Sequence, residues 1–337
     1  MQYHSATAQA AYHDLRRSLM DDQVAGIRGT PKREERKGRR YWYDTYRIGD
    51  QVKKAYIGED TPEMAARIEN HLRLAQDAKL RAEARTRLVR ILRAEGFLPV
   101  DGASGRLYST LARTGVFRLG GTVVGTHAFR HYEGELGIRL AQDEVAQTND
   151  LDIAQFERLS LALGDHVEEP LANTFAELDF APVPSLSGTA VWKWRQTRTD
   201  TYVEFLTPSF RPEEDIRDLP ALGVSAQSLH FLNYLIAEPI NAAALYRSGV
   251  LIQVPRPERY AIHKLIIADR RRAGPDQLKS RKDRAQAALL IEALAEDRPD
   301  ELREAYGDAM ERGPQWRAHI AATLKRMPET AAKLAAL

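Results

Sequence analysis

Residues 116–153 constrain this chain more than any other stretch. An apolar run with Val116, Phe117 and Leu119 breaks at the pair Gly120-Gly121, and helical spacing follows over 122–132. A strand, a tight turn and a helix are expected. Two glycines at such a turn let backbone N–H groups approach a ligand with no Cβ in the way, and the helix start behind them carries partial positive charge. Gly120, Gly121 and Thr122 therefore suit a phosphate. Further on, Thr148-Asn149-Asp150-Leu151-Asp152-Ile153 alternates polar and apolar side chains. On a strand, Asp150 and Asp152 share one face while Leu151 and Ile153 enter a core. Two acids on one face beside a phosphate turn point to a divalent metal.

Two strand-like runs, 189–194 and 201–206, read as an antiparallel hairpin after a short helix at 175–178, and the second carries one carboxylate, Glu204. The apolar residues of 218–254 continue the sheet. Helices follow over 257–272 and from 276 to about 295, and two more after 300. Near the N-terminus, 6–20 reads as a short helix and 40–57 as a hairpin around Gly49. Thr61 caps a long polar helix that starts at Pro62 and runs to about 96, and 107–113 is a short helix.

Charge is local here. The net charge is only +2, yet 28–54 holds ten Lys or Arg against four acids, and 256–284 again ten against four. In the first cluster Arg39, Arg40, Tyr41, Trp42, Tyr43 and Arg47 interleave cations with rings, a composition that suits a nucleic-acid strand. The alternative is a solvated edge with Trp42 packed on the following helix. His127 and His131 have metal-ligand spacing but no acidic partner in the manner of a zinc-hydrolase motif. His127 is expected to face the sheet or a nucleotide.

The Gly-Gly turn followed by Asp-x-Asp on a strand resembles the signature of the nucleotidyltransferase-fold superfamily, whose best-known members are the DNA polymerase beta-like enzymes. GTHAF and TNDLDI look like an uncharacterised bacterial group within it, over roughly 117–294. The resemblance implies an α+β fold: a mixed antiparallel sheet flanked by helices, with an N-terminal hairpin and helix (1–100), a catalytic core (101–255) and a C-terminal helical domain (256–337). It also implies that Glu204, in VEFLTP, is the third acid of the site, where Asp is the commoner residue, and that Gly121 stands where the family often has Ser. Lys264, Lys282 and Asp283 resemble a helical region in the abortive-infection toxin branch that lies near the nucleotide.

The same resemblance implies a metal-dependent transfer of NMP from an NTP, with Asp150, Asp152 and Glu204 holding two Mg²⁺ ions and an acceptor hydroxyl as the nucleophile. The acceptor is an RNA or tRNA end, a protein hydroxyl or a small molecule, and an antitoxin partner belongs to the toxin-like reading. The rival is a non-catalytic nucleic-acid-binding or regulatory protein on a degenerate core. No apolar run long enough for a membrane span occurs among the 337 residues, 1–17 lack an apolar signal core, and there is no cysteine. A cytoplasmic protein without membrane partners is expected.

Overall fold

The computed structural model describes the chain except at residues 24–29, 49–50, 142–149, 163, 168, 185–189 and 274, and except for the side chains of 23, 46–48, 51, 53, 55 and 74–76. The predicted turn at Gly49, residues 148 and 149, and the Arg47 side chain thus lie outside the described residues. Helix α1 (Ala6–Gln23) buries Ala8, Ala11, Tyr12, Leu15 and Leu19, an i, i+3, i+4 stripe, against Val89 and Leu92 of the long α2 (Pro62–Ala94). α2 begins where expected, with Thr61 Oγ1 accepting from the Met64 N–H at 3.2 Å.

Between these helices lies an antiparallel sheet of three strands, β1 (Thr30–Arg36), β2 (Arg39–Ile48) and β3 (Gln51–Glu59). The sequence pointed to β2 and β3 alone, because β1 reads TPKREER and has no apolar alternation to reveal it.

The expected strand, Gly-Gly turn and helix are rearranged. α3 (Gly102–Thr114) is longer than 107–113, because Asp101 accepts from the Ala103 and Ser104 N–H groups at its start and the left-handed Gly115 ends it. Residues 115–120 then form a turn, closed by the Gly121 N–H donating to Val116 O at 2.9 Å, and Val116, Phe117 and Leu119 fill the core from it. The strand comes after the glycines, as β4 (Thr122–Val124), where β-branched side chains pair with β5 (Asp150–Ala154). The helix predicted over 122–132 is two short ones, α4 (Gly125–Phe129) and α5 (Tyr132–Leu136).

Past α6 (Glu157–Ala162) and α7 (Leu171–Glu177) come β6 (Phe180–Pro182), β7 (Lys193–Gln196) and β8 (Tyr202–Pro208), with β7 and β8 antiparallel as the sequence indicated. β5 runs parallel to β8. β9 (Ile216–Leu219) and β10 (Val224–Leu229) complete a seven-stranded mixed sheet in the order β4-β5-β8-β10-β9, with β6 and β7 joined to the first half of β8. Leu151, Ile153, Val203 and Phe205 are all at most 1% exposed and pack beside Phe175 and Trp194.

The rest of 218–254 leaves this sheet: Phe231, at a positive φ, opens α8 (Leu232–Leu235), and β11 (Ile240–Ala244) and β12 (Val250–Val254) pair only with each other. Five helices close the chain, α9 (Pro257–Arg270), α10 (Gln277–Asp297), α11 (Pro299–Glu311), α12 (Pro314–Leu324) and α13 (Pro328–Ala335). Three, not two, follow 298, because Pro314 and Pro328 each restart a helix at its first turn. No helix among the described residues is long and apolar enough to cross a membrane.

One buried acid ties the N-terminus to this core. Glu133 of α5 accepts from the Leu98 N–H at 2.8 Å and meets His4 Nε2 at 3.1 Å. Burial pushes the Glu133 carboxyl up to about 7 and His4 down to about 4. A carboxyl raised in the fold contributes stability that is complete below its unfolded value of 4.5 and is lost as pH climbs through about 7. Glu133→Gln keeps an acceptor for Leu98 and cannot ionise. Scanning fluorimetry should find it melting several degrees above the parent at pH 8 and level with it at pH 5. An equal gap at both pH values would contradict this.

Candidate active site

Asp152 of β5 lies beside Glu204 of β8, and Asp150 beside Tyr202, in parallel register. Strand alternation therefore puts Asp150, Asp152 and Glu204 on one face, opposite the buried Leu151, Ile153, Val203 and Phe205. All three acids are half-buried. Burial and then the charge of Glu204 push Asp150 up, and burial with repulsion from Glu204 and Asp150 pushes Asp152 up to about 7. The carboxylates feel one another strongly.

Lys193 of β7 offsets part of this charge. Its Nζ donates to Glu204 Oε1 at 2.5 Å and lies 4.1 Å from the centre of the Tyr202 ring. No three acidic or imidazole groups among the described residues are gathered as a ready metal cage. The donor chemistry nonetheless fits a hard divalent cation: carboxylate oxygens from neighbouring strands, with mutual repulsion that a cation relieves.

The strand–glycine–helix junction beside these acids is Val124-Gly125-Thr126. Val124 pairs with Asp152, Gly125 has φ +64°, and a Cβ on Gly125 would stand 2.7 Å from Asp152 Oδ2. Gly120 and Gly121 instead precede the other end of β4, where a Cβ would strike Leu159 and Val116. Thr122 is 1% exposed and its hydroxyl donates to Gly120 O at 3.3 Å. Gly120, Gly121 and Thr122, expected to form a phosphate turn, thus lie at the end of β4 away from Asp152, with the Gly120 and Gly121 N–H groups donating to Phe117 O and Val116 O, and the glycine beside Asp152 is Gly125. Gly125→Ala should cut transfer by about 10²-fold by displacing Asp152, while the protein stays folded by circular dichroism. Unchanged transfer would remove Gly125 from the site.

Helices α9 and α10 come over the same face. Tyr260 lies with its hydroxyl 2.9 Å from Gly125 O and 3.0 Å from Gln286 Oε1. Lys264 Nζ donates to Asp283 Oδ1 at 2.5 Å, and Arg271 donates to Asp283 Oδ2 at 2.9 Å. Burial pushes the Asp283 carboxyl up, but Lys264 and Arg271 outweigh it and hold the group below the usual carboxylate range. Burial lowers Lys264 and, with the charge of Lys264, Lys282 as well. Arg271 and Lys264 in turn reach Asp152 electrostatically.

Lys264 and Asp283 therefore lie close to the acids, but the ammonium is turned into Asp283 and is 6% exposed. Lys193, Arg271 and Tyr260 were not singled out from sequence. Arg271 sits in a run of three arginines, and Lys193 gains meaning only once β7 is in register with β8. His127 is buried, with Nδ1 3.1 Å from the Tyr108 hydroxyl.

The N-terminal residues split between two surfaces. Alternation on β2 puts Arg39, Tyr41 and Tyr43 on one side and Arg40 and Trp42 on the other, where Trp42 Nε1 donates to Asp60 Oδ1 at 2.7 Å.

A nucleotidyltransferase family model matches residues 103–311, a span that takes in the Gly125 turn, all three acids and the Lys264–Asp283 pair. The chain belongs to that family. This nucleotidyltransferase also matches, over residues 11–66, a domain of unknown function (DUF6788). No curated protein matches it. Among solved structures, an antigenic nucleotidyltransferase-like protein from Paracoccidioides brasiliensis aligns over 67% of this chain and 95% of its own, at 13% identity and a TM-score of 0.34, too remote to carry further weight. As a nucleotidyltransferase, the chain has nucleotidyl transfer as its general chemistry and an NTP as its substrate.

Proposed function

We propose that this nucleotidyltransferase uses Mg²⁺ to transfer NMP from an NTP to a hydroxyl of an RNA, tRNA included. The observation that carries the reading is the register of Asp152 with Glu204, on parallel strands, with Asp150 on the same face. These three acids are the residues that hold the ions. Bound divalent cations supply Lewis acidity, which acidifies the attacking hydroxyl and screens the triphosphate. The acceptor oxygen bonds to the α-phosphorus as its bond to the α–β bridging oxygen breaks. Pyrophosphate leaves with that electron pair, and the hydroxyl proton goes to water. Gly125 leaves room for the Asp152 carboxylate, while Arg271 and Lys282 meet the charge that gathers on pyrophosphate. Lys264 acts through Asp283, which anchors Arg271.

The basic N-terminal sheet favours RNA over a protein hydroxyl. Incubation with α-³²P-labelled NTPs, Mg²⁺ and total RNA should yield a labelled product that ribonuclease destroys and protease does not, and EDTA should abolish it. Label in protein would replace RNA by a protein acceptor. The ion pair between Lys193 and Glu204 favours the non-catalytic reading, because it occupies one of the acids. That reading predicts no transfer with any NTP and, by calorimetry, NTP binding indifferent to Mg²⁺.

A further inference from the structure

The outer face of the N-terminal sheet is built differently from the active site. Antiparallel register sets Lys32, Glu34 and Arg36 of β1 opposite Tyr43, Tyr41 and Arg39 of β2, and sets Tyr56 and Lys54 of β3 opposite Tyr43 and Thr45. These side chains therefore share one face. Tyr56 is 60% exposed, and the Tyr41 and Tyr43 ring centres lie 6.1 and 5.8 Å from its own. The Arg36 guanidinium and the Lys54 ammonium lie 5.2 and 4.9 Å from the centre of the Tyr43 ring. Arg36, Lys37, Arg39 and the three tyrosines line a groove of about 490 Å³. Cations dominate the face: Lys32, Arg36, Arg39 and Lys54 stand against Glu34, with which Arg36 and Lys54 pair, and Glu59, which lies opposite Tyr41. The opposite face is packed, since Trp42 is held by Asp60 and a Cβ on Gly58 would collide with Met64 of α2.

We infer that the Tyr41, Tyr43 and Tyr56 face binds single-stranded nucleic acid, its bases on the tyrosine rings and its phosphates on Arg36, Lys37, Arg39 and Lys54. One exposed and two half-buried rings interleaved with cations suit a strand that offers both ring faces and charge. An acidic peptide would satisfy the cations and leave the rings without a partner. Duplexes hide their base faces, so single strands are selected. Trp42, the largest ring in the sequence cluster, takes no part. The inference deepens the RNA-acceptor reading above, and binding is measured without NTP or metal so that its failure and a failure of transfer are told apart.

The test is fluorescence anisotropy of the full chain with a labelled single-stranded RNA of about 12 nucleotides, the matching DNA and the RNA duplex. Tyr43→Ala and Tyr56→Ala should each weaken RNA binding by at least about 5-fold, while Tyr56→Phe keeps it. Arg36→Glu should make the salt dependence shallower by about 0.7 in log–log slope for each phosphate that the side chain no longer neutralises. DNA bound as well as RNA supports stacking on the rings, and RNA preferred over DNA adds a contact to the 2′-hydroxyl. Three results would each overturn the inference: duplex bound as tightly as single strand, polyglutamate competing as well as RNA, or a Tyr43→Ala/Tyr56→Ala protein of unchanged melting temperature that binds RNA like the parent.

Discussion

Asp152→Asn should cut nucleotidyl transfer by at least about 10³-fold and, in metal-free protein, raise the melting temperature. Both effects have one source. Asp152 sits between Asp150 and Glu204 and is pushed up to about 7 by burial and by their charge, so the fold carries a repulsion that a cation or a neutral amide removes. Asparagine keeps the shape and a hydrogen-bonding oxygen but loses the charge proposed to hold a divalent ion. Asp152→Glu should be inactive as well, because Gly125 already lies against Asp152 Oδ2 and leaves no space for another methylene. A variant that lost activity together with stability would indicate damage to the fold instead. Activity assays beside thermal melts in EDTA separate the two outcomes.

Asp283→Ala should destabilise the protein by about 3–5 kcal/mol, the usual consequence of leaving a buried charge without its partner. Lys264 is 6% exposed and Asp283 2% exposed, and the carboxylate also receives Arg271. Removing Asp283 strands the ammonium between α9 and α10. Lys264→Met combined with Asp283→Leu removes both charges and should recover most of that loss, as double replacement of a buried pair often does. Chemical denaturation of the single and double variants measures the difference. If the double variant were no more stable than Asp283→Ala, packing and not charge would govern the pair. Transfer should fall in both, because Arg271 loses its anchor over the sheet acids.

The acids were legible because their signal is local. Asp150 and Asp152 alternate with Leu151 and Ile153, so a period of two assigns their face before any fold is known, whereas Glu204 joined them only through the family resemblance. The glycine beside the acids was not legible in the same way. Gly120-Gly121 is the more conspicuous pair, but which glycine borders the acids depends on where the neighbouring strand pairs, and that is a long-range fact. Pairing over Thr122–Val124 sends the double glycine to the far end and leaves Gly125 beside Asp152. Lys193 was hidden for a related reason, since only the β7–β8 register brings it to Glu204. On the N-terminal sheet the rings were visible but not their sides, because β1 has no apolar pattern and a bulge at Trp42 and Tyr43 shifts the register of β3.

Whether Asp150, Asp152 and Glu204 together hold the cation of the proposed transfer is read most directly by titrating Mn²⁺ in the presence of a non-hydrolysable NTP and following the electron paramagnetic resonance of the free ion. Saturable binding by the parent, sharply weakened in each of Asp150→Asn, Asp152→Asn and Glu204→Gln, is the predicted result. Mn²⁺ binding that survives undiminished in all three variants would contradict it.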